Sequence, residues 1–204
     1  MKKKTVALIL ALVMVFGAAV GGTIAYLTST DSVKNTFTVG KVAIDLWETD
    51  NTKTDGTKTH TGNTYDKIVP NHTYAKDPTV TVKAGSEESF VRMLVTIDKK
   101  AALDEIGFNM NEVFVGYDAA KWAFAGEKDN DDDTMTYEFR YATTVTGGDE
   151  DIDLPALFTG VKVPGTLTNE QLASIDGLQI NVVAQAIQAD GFNTADAAWA
   201  AFNG

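Results

Sequence analysis

The sequence predicts an all-β fold, a jelly-roll-like sandwich of two antiparallel sheets with short accessory helices. Three observations lead there. Apolar residues alternate with polar ones in several short segments that are rich in β-branched and aromatic side chains. Long polar connections carrying Gly, Pro, Asn and Asp separate those segments. No repeat of solenoid type and no second composition block interrupts the chain, so residues 26–204 read as one domain.

Each element follows from its own pattern. Residues 36–47 alternate as a strand, with Phe37 and Val39 on one face and Val42, Ile44 and Leu46 in register after a slip at Gly40, where a bulge or bend is expected. Residues 48–67 are almost wholly polar and are expected to form a long loop or weak hairpin. Residues 79–82 form a short strand behind Pro78, and residues 84–87 turn the chain. The dense apolar run at 90–97 is the best candidate for a central strand. A short helical piece is expected at 99–106, then strands at 112–117, 121–125 and 135–143, the last two joined by an Asp-rich hairpin tip. A strand at 154–163, interrupted by Pro155, precedes a short helix at 168–175 with Thr168 as N-cap. The last long strand is 178–188, with Leu178, Ile180, Val182, Ala184 and Ala186 on one face. An Ala-rich helix capped by Asn193 or Thr194 follows and packs back on the sandwich through Trp199 and Phe202.

The first 25 residues have the build of a secretory signal. Lys2, Lys3 and Lys4 precede an apolar run at 6–20, and Thr23-Ile24-Ala25 offers a small-residue cleavage site between Ala25 and Tyr26. As a helix, residues 5–20 would span roughly 24 Å, short of the ~30 Å hydrocarbon core, so no stable membrane anchor is expected after processing. Cleavage takes three Lys and no acid with it, leaving 179 residues with 14 basic and 28 acidic groups, net −14. Such a chain repels nucleic acid and anionic lipid. Without cysteine there is no disulfide, lipidated Cys or thiol chemistry.

The junction Gly21-Gly22-Thr23-Ile24-Ala25-Tyr26 is followed by Asn35-Thr36-Phe37-Thr38-Val39-Gly40-Lys41-Val42-Ala43-Ile44. Together they resemble the TasA/camelysin family, secreted proteins of Gram-positive bacteria processed by a dedicated signal peptidase of the SipW type. The likeness is close over the first 46 residues and lies only in pattern beyond them. It implies a jelly-roll domain and a structural role: a secreted or cell-surface subunit that polymerises with copies of itself, and with other matrix proteins where these exist, into biofilm-matrix fibres. It also implies donor-strand exchange, in which Tyr26, Leu27, Thr28, Ser29, Thr30 and Asp31 of one subunit complete the sheet of the next.

The pattern holds no catalytic constellation. A zincin needs two His one helical turn apart beside a Glu, whereas His60 and His72 lie in separate loop-like stretches. Ser86, Ser89 and Ser174 belong to no Gly-x-Ser-x-Gly elbow. The chain is read as non-enzymatic and without a cofactor. Asp129, Asp131 and Asp133 resemble the first half of a calcium loop, but Thr134 stands where Gly is required and Arg140 where Glu is required. They are at most a weak Ca²⁺ candidate, and a solvated hairpin tip is the plainer reading, as it is for the acidic run at 149–153. Trp47, Trp122 and Trp199 suit core or strand-end anchors better than a sugar platform. The alternative function is a monomeric adhesin-like module that binds a surface or glycan.

Overall fold

A computed structural model describes residues 40–203. The signal segment, the Ala25–Tyr26 cleavage site, the donor segment from Tyr26 to Asp31, and Phe37 and Val39 lie outside the described residues.

The fold is an all-β sandwich built from antiparallel sheets. One sheet has the order β2–β1–β4–β9, from β1 (Ile44–Thr49), β2 (Lys58–Thr59), β4 (Thr79–Val82) and β9 (Ile152–Asp153). The other main sheet has the order β11–β5–β8–β7, from β5 (Ser89–Asp98), β7 (Trp122–Asp129), β8 (Thr134–Tyr141) and β11 (Ile180–Gln188). A small third sheet joins β3 (Thr73–Ala75), β10 (Gly160–Lys162) and β6 (Phe114–Val115). Among the described residues four short helices accompany the sheets: α1 (Lys100–Glu105), α2 (Met110–Val113), α3 (Asn169–Ser174) and α4 (Ala195–Asn203).

One apolar core is shared by the sheets. Val80 and Val82 from β4 meet Val91, Met93, Val95 and Ile97 from β5 and Phe139 from β8, and Phe114 stacks on Phe158 with ring centroids 4.4 Å apart. The run at 90–97 is the central strand, flanked by β11 and β8. Its alternation sends odd-numbered side chains inward and places Arg92 on the opposite face under α4. The hairpin at 129–133 joins β7 to β8 as its composition demands. Thr168 caps α3 in a full capping box with Gln171, and the Thr194 hydroxyl accepts from the Ala197 N–H at the start of α4.

Three segments depart from the pattern reading. Residues 112–117 divide into the end of α2 and the two-residue β6, because the Asn109 side chain caps Asn111 and starts a helical turn. Residues 154–163 are strand only at β10, where Pro155 and the burial of Leu157 and Phe158 replace a ladder with core packing. Residues 40–43 run beside 83–87 without a regular ladder. A Cβ at Gly40 would lie 2.8 Å from Glu87 Cγ, so close approach, not a bulge in a continuous strand, explains that glycine. The polar stretch 48–67 folds back as the β1–β2 hairpin and is tied by side chains, with Asn63 Oδ1 accepting from the Asn51 N–H at 2.8 Å.

Candidate functional site

A sandwich can add a strand only where an edge is long, flat and unguarded. Most edges among the described residues fail that test. β2 and β9 have two residues each, and β3 and β6 three and two. β7 is long, yet its register shifts between Phe124 and Gly126, and Glu127, Lys128 and Asp129 follow. Gly126 has φ 146°, a conformation open to glycine and closed to other residues. A bulge and a row of charges are the usual guards of an edge.

β11 has neither guard. Its nine residues read Ile-Asn-Val-Val-Ala-Gln-Ala-Ile-Gln, with no charge, proline or glycine, and it pairs with β5 in one unbroken register. The direction of each peptide group follows from the ends of that ladder. The Asp98 N–H donates to Gln179 O at 3.3 Å and the Ala189 N–H to Glu88 O at 2.8 Å. In an antiparallel pair the bonded residues alternate, so Asn181, Val183, Gln185 and Ile187 face β5. The N–H and C=O groups of Ile180, Val182, Ala184, Ala186 and Gln188 therefore point to the open edge. No other strand among the described residues pairs there.

The side chains of that edge are also incompletely covered. Ile180, Val182, Ala184 and Ala186 point into the core but stay half-buried, as do Ile44 and Leu46 of β1, which runs close to β11 without pairing to it. At the Gln188 end lies a cavity of about 480 Å³ whose lining includes Phe90, Phe192, Gln188 and Glu87. Gly40, where the described chain begins, sits against the same Glu87 and Gln188 side chains. Sequence periodicity identified β11 as a strand but carried no sign that it is an edge.

The remaining candidate residues are accounted for locally. Asp133 Oδ1 accepts from the Ala101 N–H at 2.8 Å and so caps α1 across the hairpin, while Asp129 faces Lys100 at 3.4 Å. Asp131 donates its own N–H to Asp129 at 3.1 Å. Among the described residues no group of three or more His, Asp or Glu side chains is arranged to hold a metal ion. His60 Nδ1 lies 3.0 Å from Leu46 O, and His72 packs on Tyr74. Ser86 and Ser89 bind backbone carbonyls of Ala43 and Val145. Trp122 is fully buried with its N–H on Pro155 O, and Trp47 donates to the Thr81 hydroxyl at 2.8 Å. A second cavity of about 550 Å³ is lined in part by Tyr65, His72 and Tyr74, whose rings meet edge to face. Among the described residues no helix is long and apolar enough to cross a membrane.

No family model matches the chain, and neither a curated protein nor a solved structure does.

Proposed function

We propose that this chain is a secreted structural subunit that polymerises into extracellular matrix fibres, with residues Tyr26 to Asp31 of one copy adding as a strand to β11 of the next. One observation carries the reading: among the described residues β11 is a long, uncharged, unbulged edge on which five residues direct their backbone groups away from β5. Backbone hydrogen bonds supply the affinity of such a joint, and alternate side chains over half-buried apolar positions supply its register. Removal of the leader after Ala25, by a SipW-type peptidase in this reading, frees the donor only after export, so assembly cannot begin in the cell. The resemblance of residues 21–46 to TasA/camelysin proteins points the same way. No step of this role needs catalysis or a cofactor.

The test compares protein beginning at Tyr26 with protein beginning at Ser32, by negative-stain microscopy and circular dichroism. The expected result is filaments from the first and a folded monomer from the second. Equal filament yield from both would remove the donor strand from the mechanism.

A further inference from the structure

The sandwich buries one ion pair that strand exchange leaves unexplained. Glu48 of β1 is 7% exposed and Lys76, just after β3, is 8% exposed, with Nζ 2.5 Å from Glu48 Oε1. A buried pair is a poor source of stability, because desolvation offsets the attraction. The second oxygen of the same carboxylate has a different partner: Glu48 Oε2 accepts from Asn63 Nδ2 at 3.2 Å. Two further contacts hold the Asn63 carboxamide. Its Nδ2 also donates to Thr49 O at 2.9 Å, and its Oδ1 accepts from the Asn51 N–H at 2.8 Å. Only one orientation of the carboxamide satisfies all three contacts. The Tyr65 hydroxyl donates to Ala75 O beside Lys76, and burial, followed by the charges of Glu48 and Asp77, pushes its phenol up to about 12.

This arrangement has the parts of an acyl transfer. There is an amine, a carboxylate that touches both the amine and the nitrogen to be expelled, and an N–H on the oxygen where negative charge would develop. We propose that Glu48 promotes an intramolecular amide bond between Lys76 Nζ and Asn63 Cγ. Glu48 takes a proton from the Lys76 ammonium. The freed amine attacks Cγ, and the Asn51 N–H stabilises the tetrahedral oxyanion on Oδ1. A proton from the attacking nitrogen passes through Glu48 to Nδ2, the Cγ–Nδ2 bond breaks, and ammonia leaves. Overall, one ammonium and one carboxamide become one secondary amide and one ammonium ion, with no oxidant or reductant. The bond would staple the 48–67 hairpin to the β3–β4 segment in a chain that has no cysteine for a disulfide.

The folded, exported chain is to be examined by intact-mass measurement and tryptic mapping. The expected mass is lower than that of the processed sequence by one ammonia. Asn63 and Lys76 should be recovered in one branched species joining residues 59–67 to residues 68–83. Glu48→Gln and Asn63→Ala chains should carry the full mass, and Asn63→Asp should form the same bond with loss of water. Recovery of the two wild-type peptides unlinked from folded protein would overturn the proposal, whatever the variants do. So would a branched species that joins Lys76 to Glu48 or Asp77.

Discussion

The guanidinium of Arg92, on the central strand β5, lies 4.2 Å from the centre of the Trp199 ring on α4. Arg92 is 3% exposed and Trp199 1% exposed, and the same guanidinium donates to Gln185 Oε1 and Asn203 Oδ1, each at 2.7 Å. One side chain therefore joins β5, β11 and both ends of the contact with α4.

Trp199→Ala should accordingly cost about 3–5 kcal/mol, the range for emptying a large aromatic site, and should free α4 from the sheet. Arg92→Lys should cost about 1–3 kcal/mol, since a lysine cannot reproduce the planar fork and leaves buried acceptors unpaired. Trp199→Phe should be much milder than Trp199→Ala. The indole N–H is buried with no partner among the described residues, so removing it relieves a desolvation cost. Urea unfolding followed by near-ultraviolet dichroism measures all three.

That clamp illustrates what the sequence made legible. Periodicity placed β5, β8 and β11, and composition placed the 129–133 turn, because both signals are local and each segment has a dense apolar face. Arg92 reads in sequence as the one charged interruption of the run at 90–97, and its burial depends on α4, more than a hundred residues later. Glu48, Asn63 and Lys76 are equally ordinary in sequence, and their meeting depends on how a polar hairpin folds back. Which strand is an edge is likewise a matter of topology. The sequence of β11 states only that such an edge would be unguarded.

Acid should weaken the domain through the carboxylates that tie β9 to β4. The Thr81 hydroxyl, above all, and then Lys58 hold the Asp153 carboxyl below its usual range; the Ala84 N–H and then Lys83 do the same for Asp151. A folded-state value below the unfolded one contributes stability that is fully present above the unfolded value, about 4, and is lost as pH falls from there through the lower folded-state value. The urea midpoint should therefore be flat near neutrality and fall below about pH 4. Asp153→Asn should lower the neutral midpoint and flatten the acid decline. An unchanged decline in Asp153→Asn would assign the acid sensitivity elsewhere.

Self-repulsion should set the pace of assembly. Residues 26–204 carry net −14, so every encounter of two such copies works against like charge. Salt screens that repulsion over a Debye length of about 10 Å at 0.1 M, and mild acid reduces the charge itself. Turbidity and filament counts should rise with ionic strength and between neutral and mildly acidic pH, above the range in which the Asp153 and Asp151 contacts are lost. A flat response across both variables would place the barrier elsewhere than in charge.

The open edge allows a sharper test than truncation, because it separates the joint from the fold. Along β11 the N–H of Ala184 points away from β5, whereas that of Gln185 lies in the ladder with Arg92. Proline removes one donor and is tolerated on an edge only where that donor faces outward. Ala184→Pro should therefore leave the β11–β5 ladder paired, at the cost of some backbone adjustment, while removing a donor and placing a ring where an incoming strand would lie. Gln185→Pro removes a ladder bond and should destabilise the sheet itself, by about 3 kcal/mol or more if its effect matches that of proline inside a helix. Circular dichroism and urea unfolding should find Ala184→Pro folded and Gln185→Pro impaired, and microscopy of Ala184→Pro begun at Tyr26 should find monomers. Filaments of ordinary yield from folded Ala184→Pro would exclude β11 as the acceptor, even if residues 26–31 proved essential.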